Sequence, residues 1–215
     1  MKEQIIAIIW DWGNVLGRYD YGKGCEELSR YSSKSGTEIK DIIDKNFKKQ
    51  IWTGALNPAT FFARAKTMIP LFSEMTFVEF SGIWKGIITG ENEGVSEILN
   101  RLLHIRQCIL SDTDPIHWSA IRELPAIKTH FSSPNLVVHS FSVGAVKPSP
   151  VMYKEALRRL GVSLSNTHEV LYIEDKLKNC QAFEEMGGKT LNYNCSQEPL
   201  ANLEKGLKSF GVFDD

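Results

Sequence analysis

The 215-residue chain is 42% apolar and 24% charged, an ordinary globular composition, and its length suits one large domain or a core with a smaller companion. A net charge of -1 with no basic block excludes the electrostatic footprint of a nucleic-acid or anionic-membrane binder. Its four cysteines, Cys25, Cys108, Cys180 and Cys195, form no Cys-x-x-Cys pair, which argues against thiolate-bound zinc and suits reduced thiols in the cytoplasm.

The first apolar run, residues 5–9 (IIAII), reads as a strand buried on both faces and is too short to span a bilayer. It ends at Asp11, with Gly13 two residues on. An acid at the carboxyl end of a parallel strand faces the crevice where open α/β sheets bind ligands, although Asp-x-Gly is also ordinary turn chemistry. Residues 19–89 then follow a helical pattern with no convincing strand, and helices are expected near 22–31, 37–48, 58–68 and 77–87. Ile39, Ile42, Ile43 and Phe47 show the three- and four-residue spacing. Helices of this length suggest a small bundle.

From Asn92 onward helix and strand alternate, with a helix to about residue 104 and strands at 108–110, 136–138, 170–173 and near 190–191. That alternation means βαβ units in a parallel sheet. A helix after Lys147 is bracketed by Ser149 as N-cap, Pro150 at the first position and Gly161 past the end. Polar residues follow each strand in turn: Asp11, then Ser111-Asp112-Thr113-Asp114, then Lys147, then the adjacent acids Glu174-Asp175. Two acids after a buried strand repel one another unless a cation or a lysine compensates them.

In that order the residues resemble the haloacid dehalogenase-like hydrolase superfamily. Its four motifs are an Asp after strand one, a Ser or Thr after strand two, a Lys, and a terminal acidic pair. Here they fall on Asp11, Ser111, Lys147 and Glu174-Asp175. Asp11-Trp12-Gly13-Asn14-Val15 is similar to the first motif of a branch that includes sugar-phosphate phosphatases, and Ile51-Trp52-Thr53-Gly54 with Phe61-Phe62 is similar to that branch's cap. The resemblance implies an α/β fold with a Rossmann-like parallel sheet, helices on both faces and a helical C1 cap inserted after strand one. Core residues would be 1–18 and 92–215, and cap residues 19–91.

The chemistry implied is phosphoryl transfer on a small phosphorylated metabolite, with Asp11 as nucleophile and Mg²⁺ held by Asp11, Asp175, the Gly13 carbonyl and, through a water, Glu174. Lys147 and Ser111 complete the catalytic set, with Trp12 and Gly13 beside the substrate. Gly13 departs from the family, because most of its phosphatases carry there a second Asp that protonates the leaving group. Loss of that role slows turnover by roughly 10²–10⁴-fold and favours a good leaving group, so a sugar 1-phosphate is the first candidate. Asp112 stands where many relatives have Asn. It or Asp114 is a candidate substitute proton carrier, unless both cap the helix starting near Pro115. Arg18 is placed to reach a substrate anion or to make a surface ion pair. The five histidines show no metal-ligand spacing.

Alternatives are a 2-haloacid dehalogenase, which needs no metal and leaves the acidic pair unexplained, or a phospho-ligand binder that has lost catalysis. The chain is expected to be cytoplasmic and to act as a monomer or homodimer, without nucleic-acid or membrane partners.

Overall fold

The computed structural model describes residues 4–70 and 74–213. Strand β1 (Ala7–Trp10) is fully buried, as its isoleucine content demands. After it come β2 (Gly17–Tyr19) and the helices α1 (Tyr21–Ser29), α2 (Gly36–Asn46), α3 (Lys48–Trp52), α4 (Pro58–Met68) and α5 (Phe77–Lys85). Strand β3 (Ile88–Glu91) closes this stretch. The remainder runs α6 (Val95–Arg101), β4 (Arg106–Ser111), α7 (Pro115–Ile121), α8 (Pro125–His130), β5 (Val137–His139), α9 (Ser140–Val143), α10 (Pro150–Leu160), β6 (Val170–Glu174), α11 (Leu177–Glu184), β7 (Lys189–Asn192) and α12 (Leu200–Ser209).

The main sheet has five strands in the order β5-β4-β1-β6-β7, all parallel. The chain builds outward from β1 to β5, then returns to the other side of β1. The reversal makes β1 and its neighbours the switch point at which such sheets bind ligands. Register brings the polar ends level: Trp10 pairs with both Ile109 and Ile173, so Asp11 emerges beside the last residues of β4 and β6. Apolar clusters cover both sheet faces, one around Ile8, Trp10 and Leu171, the other around Ile9, Tyr153 and Phe183.

The helical insertion has its own apolar cluster, including Leu28, Ile39, Ile43, Phe61, Phe80 and Trp84. Its helices are capped locally: Ser35 with Glu38 and Thr76 with Glu79 form capping boxes, and Asn57 caps α4 ahead of Pro58. Contrary to the sequence reading, strands do occur here. β2 and β3 pair antiparallel at the two ends of the insertion and join its entry to its exit. Ser149 does occupy the N-cap position of α10, but its side chain makes no capping bond; its carbonyl accepts from Met152 N–H at 3.0 Å.

Where the insertion approaches the core, Gly54 has φ +69°, and a Cβ on it would stand 2.2 Å from the Phe141 carbonyl oxygen. Only glycine suits that backbone and that approach. Gly54→Ala is therefore expected to lower stability by about 1–3 kcal/mol, read from the urea unfolding midpoint; a midpoint unchanged from the parent would contradict the packing described.

Candidate active site

Four motif side chains converge at the carboxyl edge of the sheet, and all are nearly or wholly buried. The Lys147 Nζ donates to Glu174 Oε2 at 2.8 Å and to the Leu110 carbonyl at 3.2 Å, and it pairs with Asp11 Oδ1 at 2.7 Å. Asp11 Oδ1 also accepts from Trp12 N–H at 2.8 Å, so both of these donors engage the same oxygen. Asp112, the residue after Ser111, accepts from the Lys147 backbone N–H at 3.0 Å and so helps place that lysine.

The acids of β6 divide their work. Glu174 Oε2 accepts from Lys147, from Asn179 Nδ2 at 2.9 Å and from the Tyr172 hydroxyl, while Oε1 accepts from Lys176 N–H at 3.1 Å. Asp175 Oδ2 accepts from Asn14 Nδ2 at 3.0 Å, but its buried Oδ1 has no hydrogen-bond partner among the described residues. The nearest ion pair to that oxygen is Lys176 Nζ at 3.6 Å.

Charge explains why these groups sit together. Burial and the negative charge of Glu174 hold the Asp11 carboxyl above the usual carboxylate range, against the pull of Lys147. Burial and its contact with Glu174 likewise raise Asp175. Although burial disfavours the charge of Glu174, Lys147 and the Tyr172 hydroxyl hold its carboxyl well below the ordinary value. Asp11, Glu174 and Asp175 each offer an oxygen within 4.8 Å of the others. Asp11 and Asp175, pushed toward protonation by burial and by the neighbouring Glu174, with one buried oxygen unsatisfied, fit a hard divalent cation such as Mg²⁺, whose charge and oxygen-rich shell relieve both.

A cavity of about 270 Å³ opens above these residues, lined by Asp11, Trp12, Gly13, Ser111, Asp112 and Lys147. Lys176, Tyr19 and His117 also line it, as do Tyr21, Lys40, Lys48 and Trp52 of the insertion. A family model for haloacid dehalogenase-like hydrolases matches residues 6–187. The chain belongs to that family. Among solved structures, a HAD family enzyme from Bacteroides thetaiotaomicron in complex with magnesium and inorganic phosphate superposes with a TM-score of 0.78 at 19% identity, over 93% of this chain and 98% of that one. A HAD-like hydrolase from Porphyromonas gingivalis gives 0.78 at 18%, over 95% and 98%. L-2-haloacid dehalogenase from Xanthobacter autotrophicus, with chloropropionic acid covalently bound, gives 0.62 at 15%, over 98% and 85%. At such identities these likenesses establish the shared fold alone. No curated protein matches the chain.

Of the alternatives open for Arg18 and Asp114, the geometry gives no support to a role in the cavity. Arg18 is exposed, donates to the Cys195 carbonyl at 3.2 Å and does not line the cavity. Asp114 is buried as the N-cap of α7, accepting from the N–H groups of Ile116 and His117 at 2.8 and 3.1 Å. It also accepts from Trp84 Nε1 at 3.2 Å and pairs with His117 Nδ1 at 2.7 Å. With those partners, and lying off the cavity wall, it is a joint between core and insertion rather than a proton carrier. Asp112 stays on the wall, its carboxyl raised by burial. Gly13 does not have a positive φ, and a Cβ there would meet Tyr19 Cε1 at 3.0 Å.

Burial opposes the charge of Asp114, but His117 and the other donors hold its carboxyl below the ordinary value of 3.8. A depressed carboxyl stabilises the fold above its unfolded pKa, and the contribution fades as pH falls through the folded one. Asp114→Asn is expected to cost about 2 kcal/mol at pH 5, with the gap to wild type narrowing below pH 3.8 in denaturant titrations; a gap that widens in acid would reverse the assignment.

Proposed function

We propose that this hydrolase is a Mg²⁺-dependent phosphomonoesterase acting on a small phosphorylated metabolite through an aspartyl phosphate on Asp11. The observation that carries the reading is the carboxylate triad beside Lys147, two of its members buried, with the unsatisfied Asp175 oxygen calling for a cation. Magnesium and phosphate in the Bacteroides relative support it. A 2-haloacid dehalogenase, which needs no metal, leaves the unsatisfied Asp175 oxygen unexplained. Residues 19–91 are read as the cap over the site, and a cytoplasmic monomer or homodimer suits four free, buried cysteines. No described helix is long and apolar enough to cross a membrane.

Asp11 and Asp175 would hold the cation directly with the Gly13 carbonyl. Glu174, both of whose oxygens already accept protein hydrogen bonds, would act through a water. When bound, Mg²⁺ supplies charge neutralisation of the phosphoryl oxygens and keeps Asp11 ionised. Asp11 attacks phosphorus in line, forming the aspartyl O–P bond as the bond to the leaving oxygen breaks. Lys147 steadies Asp11 in the ground state and offers its ammonium to the phosphoryl oxygens, and the Ser111 hydroxyl donates beside it. Water then cleaves the acyl phosphate. Gly13 cannot protonate the leaving oxygen, which favours substrates whose leaving group needs little help.

The deciding experiment is a panel of sugar phosphates assayed with and without Mg²⁺ for wild type and Asp11→Asn. Turnover is expected only with metal and is expected to fall by at least about 10³-fold in the variant, since an amide is a poor nucleophile; metal-independent turnover, or a variant near wild type, would overturn the reading.

A side chain at position 13 presses on the Tyr19 ring, so the acid is best restored with that contact relieved. In a Tyr19→Ala background, Gly13→Asp is expected to raise kcat/KM for alkyl phosphates by at least about tenfold and to raise it less for p-nitrophenyl phosphate. Equal gains for both leaving groups would show that Gly13 is not simply a missing acid.

A further inference from the structure

Phosphoryl chemistry at Asp11 leaves one end of the cavity unexplained. The insertion contributes Tyr21, Lys40, Lys48 and Trp52 to the wall, and no acid of the insertion lines it. Asp44 stands between the two lysines, pairing with Lys40 at 2.8 Å and with Lys48 at 2.9 Å. Two ammonium groups thus share one carboxylate, and a positive charge remains uncompensated by that trio. The ammonium groups are also held over ring faces: Lys48 Nζ lies 5.0 Å from the Trp52 centroid and 5.2 Å from that of Tyr21, with Lys40 Nζ 5.8 Å from Tyr21. Cation–π contacts of this kind are favourable where the charge is partly desolvated.

A second observation comes from the core side of the same cavity. His117, with a side chain only 9% exposed, is fixed by Asp114 through Nδ1, while its buried Nε2 has no hydrogen-bond partner among the described residues. It stacks on Trp84 at 5.1 Å, and Trp84 in turn meets Tyr21 edge-on at 5.5 Å, so this imidazole belongs to the aromatic wall that carries the lysines. A buried ring nitrogen on a cavity wall without a partner is a polar group awaiting one.

We propose that the insertion end of the cavity is a second anion subsite, and that the substrate is a small phosphomonoester whose far end carries a carboxylate or a second phosphate, seated on the cavity side of Lys40 and Lys48 against Tyr21. This rests on the phosphatase reading above and names its substrate class. A substrate with an uncharged tail leaves the surplus positive charge of the Lys40–Asp44–Lys48 trio without a counter-ion once it is bound, whereas an anionic tail neutralises it. The discrimination comes as much from that penalty as from the new contact. The cavity, about 270 Å³, is at the small end of ligand sites and matches a metabolite rather than a polymer.

The test compares kcat/KM, with Mg²⁺ present, for matched pairs that differ in the tail. These are glycerol 3-phosphate against 3-phosphoglycerate, and glucose 1-phosphate against glucuronic acid 1-phosphate and glucose 1,6-bisphosphate. Wild type is expected to prefer an anionic-tail member by about tenfold or more, the scale of one charge-assisted hydrogen bond. The pair showing the larger ratio separates carboxylate from phosphate. In Lys40→Gln/Lys48→Gln the ratio is expected to fall toward one, while Lys40→Arg/Lys48→Arg keeps most of it. No preference in wild type overturns the proposal even if a variant fails to fold, and so does a ratio that survives in the glutamine variant. Should no phosphate ester turn over, the phosphatase reading fails separately. Calorimetric binding of 3-phosphoglycerate and glycerol 3-phosphate to wild type then decides the subsite, with equal affinities counting against it.

Discussion

Everything at this site follows from holding the Lys147 ammonium, out of water, between two carboxylates. Charges buried in this way are tolerated only when their partners are placed to within hydrogen-bond distance, because each ion has given up its hydration. The parallel register supplies that placement by bringing Asp11 and Glu174 to the same edge on neighbouring strands. The Leu110 carbonyl and Asp112 then fix the lysine from β4 and the loop that follows it. Removing one partner would strand the others, so the sheet order and the site stand or fall together.

The negative balance left around Lys147 has the complementary effect of asking for a cation. Asp175 contributes an oxygen that no described donor reaches, while Glu174 is spoken for by the protein itself. Adjacent residues in one sequence motif thus have different duties: one shapes the lysine and its surroundings, the other is left free for what enters. The insertion is tied to this arrangement through Trp84, which reaches from its apolar core to Asp114 at the start of α7.

The strands of the main sheet were legible because runs such as IIAII and VLYI are apolar and β-branched or aromatic along their whole length, and the order of polar residues behind them pointed to Asp11, Ser111, Lys147 and the Glu174-Asp175 pair, which the fold brings together. β2 and β3 were not. Each is short, glycine-bearing and only partly buried, and each exists because the two ends of a long insertion meet, a pairing no local pattern records. The direction of a long side chain is equally invisible, so Arg18 was left between a substrate anion and a surface ion pair, when the Cys195 carbonyl, 177 residues away in sequence, claims it. Asp114 was half legible: its capping role follows from the proline after it, but its bond to Trp84 does not. Lys176, His117 and the lysines of the insertion were missed because helical periodicity says which face is polar and not which of those polar residues borders a cavity.

Tyr19 and Gly13 are coupled in space. With the tyrosine ring 3.0 Å from where a β-carbon at position 13 would lie, a side chain there makes that exposed ring give way by a few tenths of an ångström. Substitutions at the two positions therefore share one contact, and their effects on stability and turnover do not add as those of distant sites do.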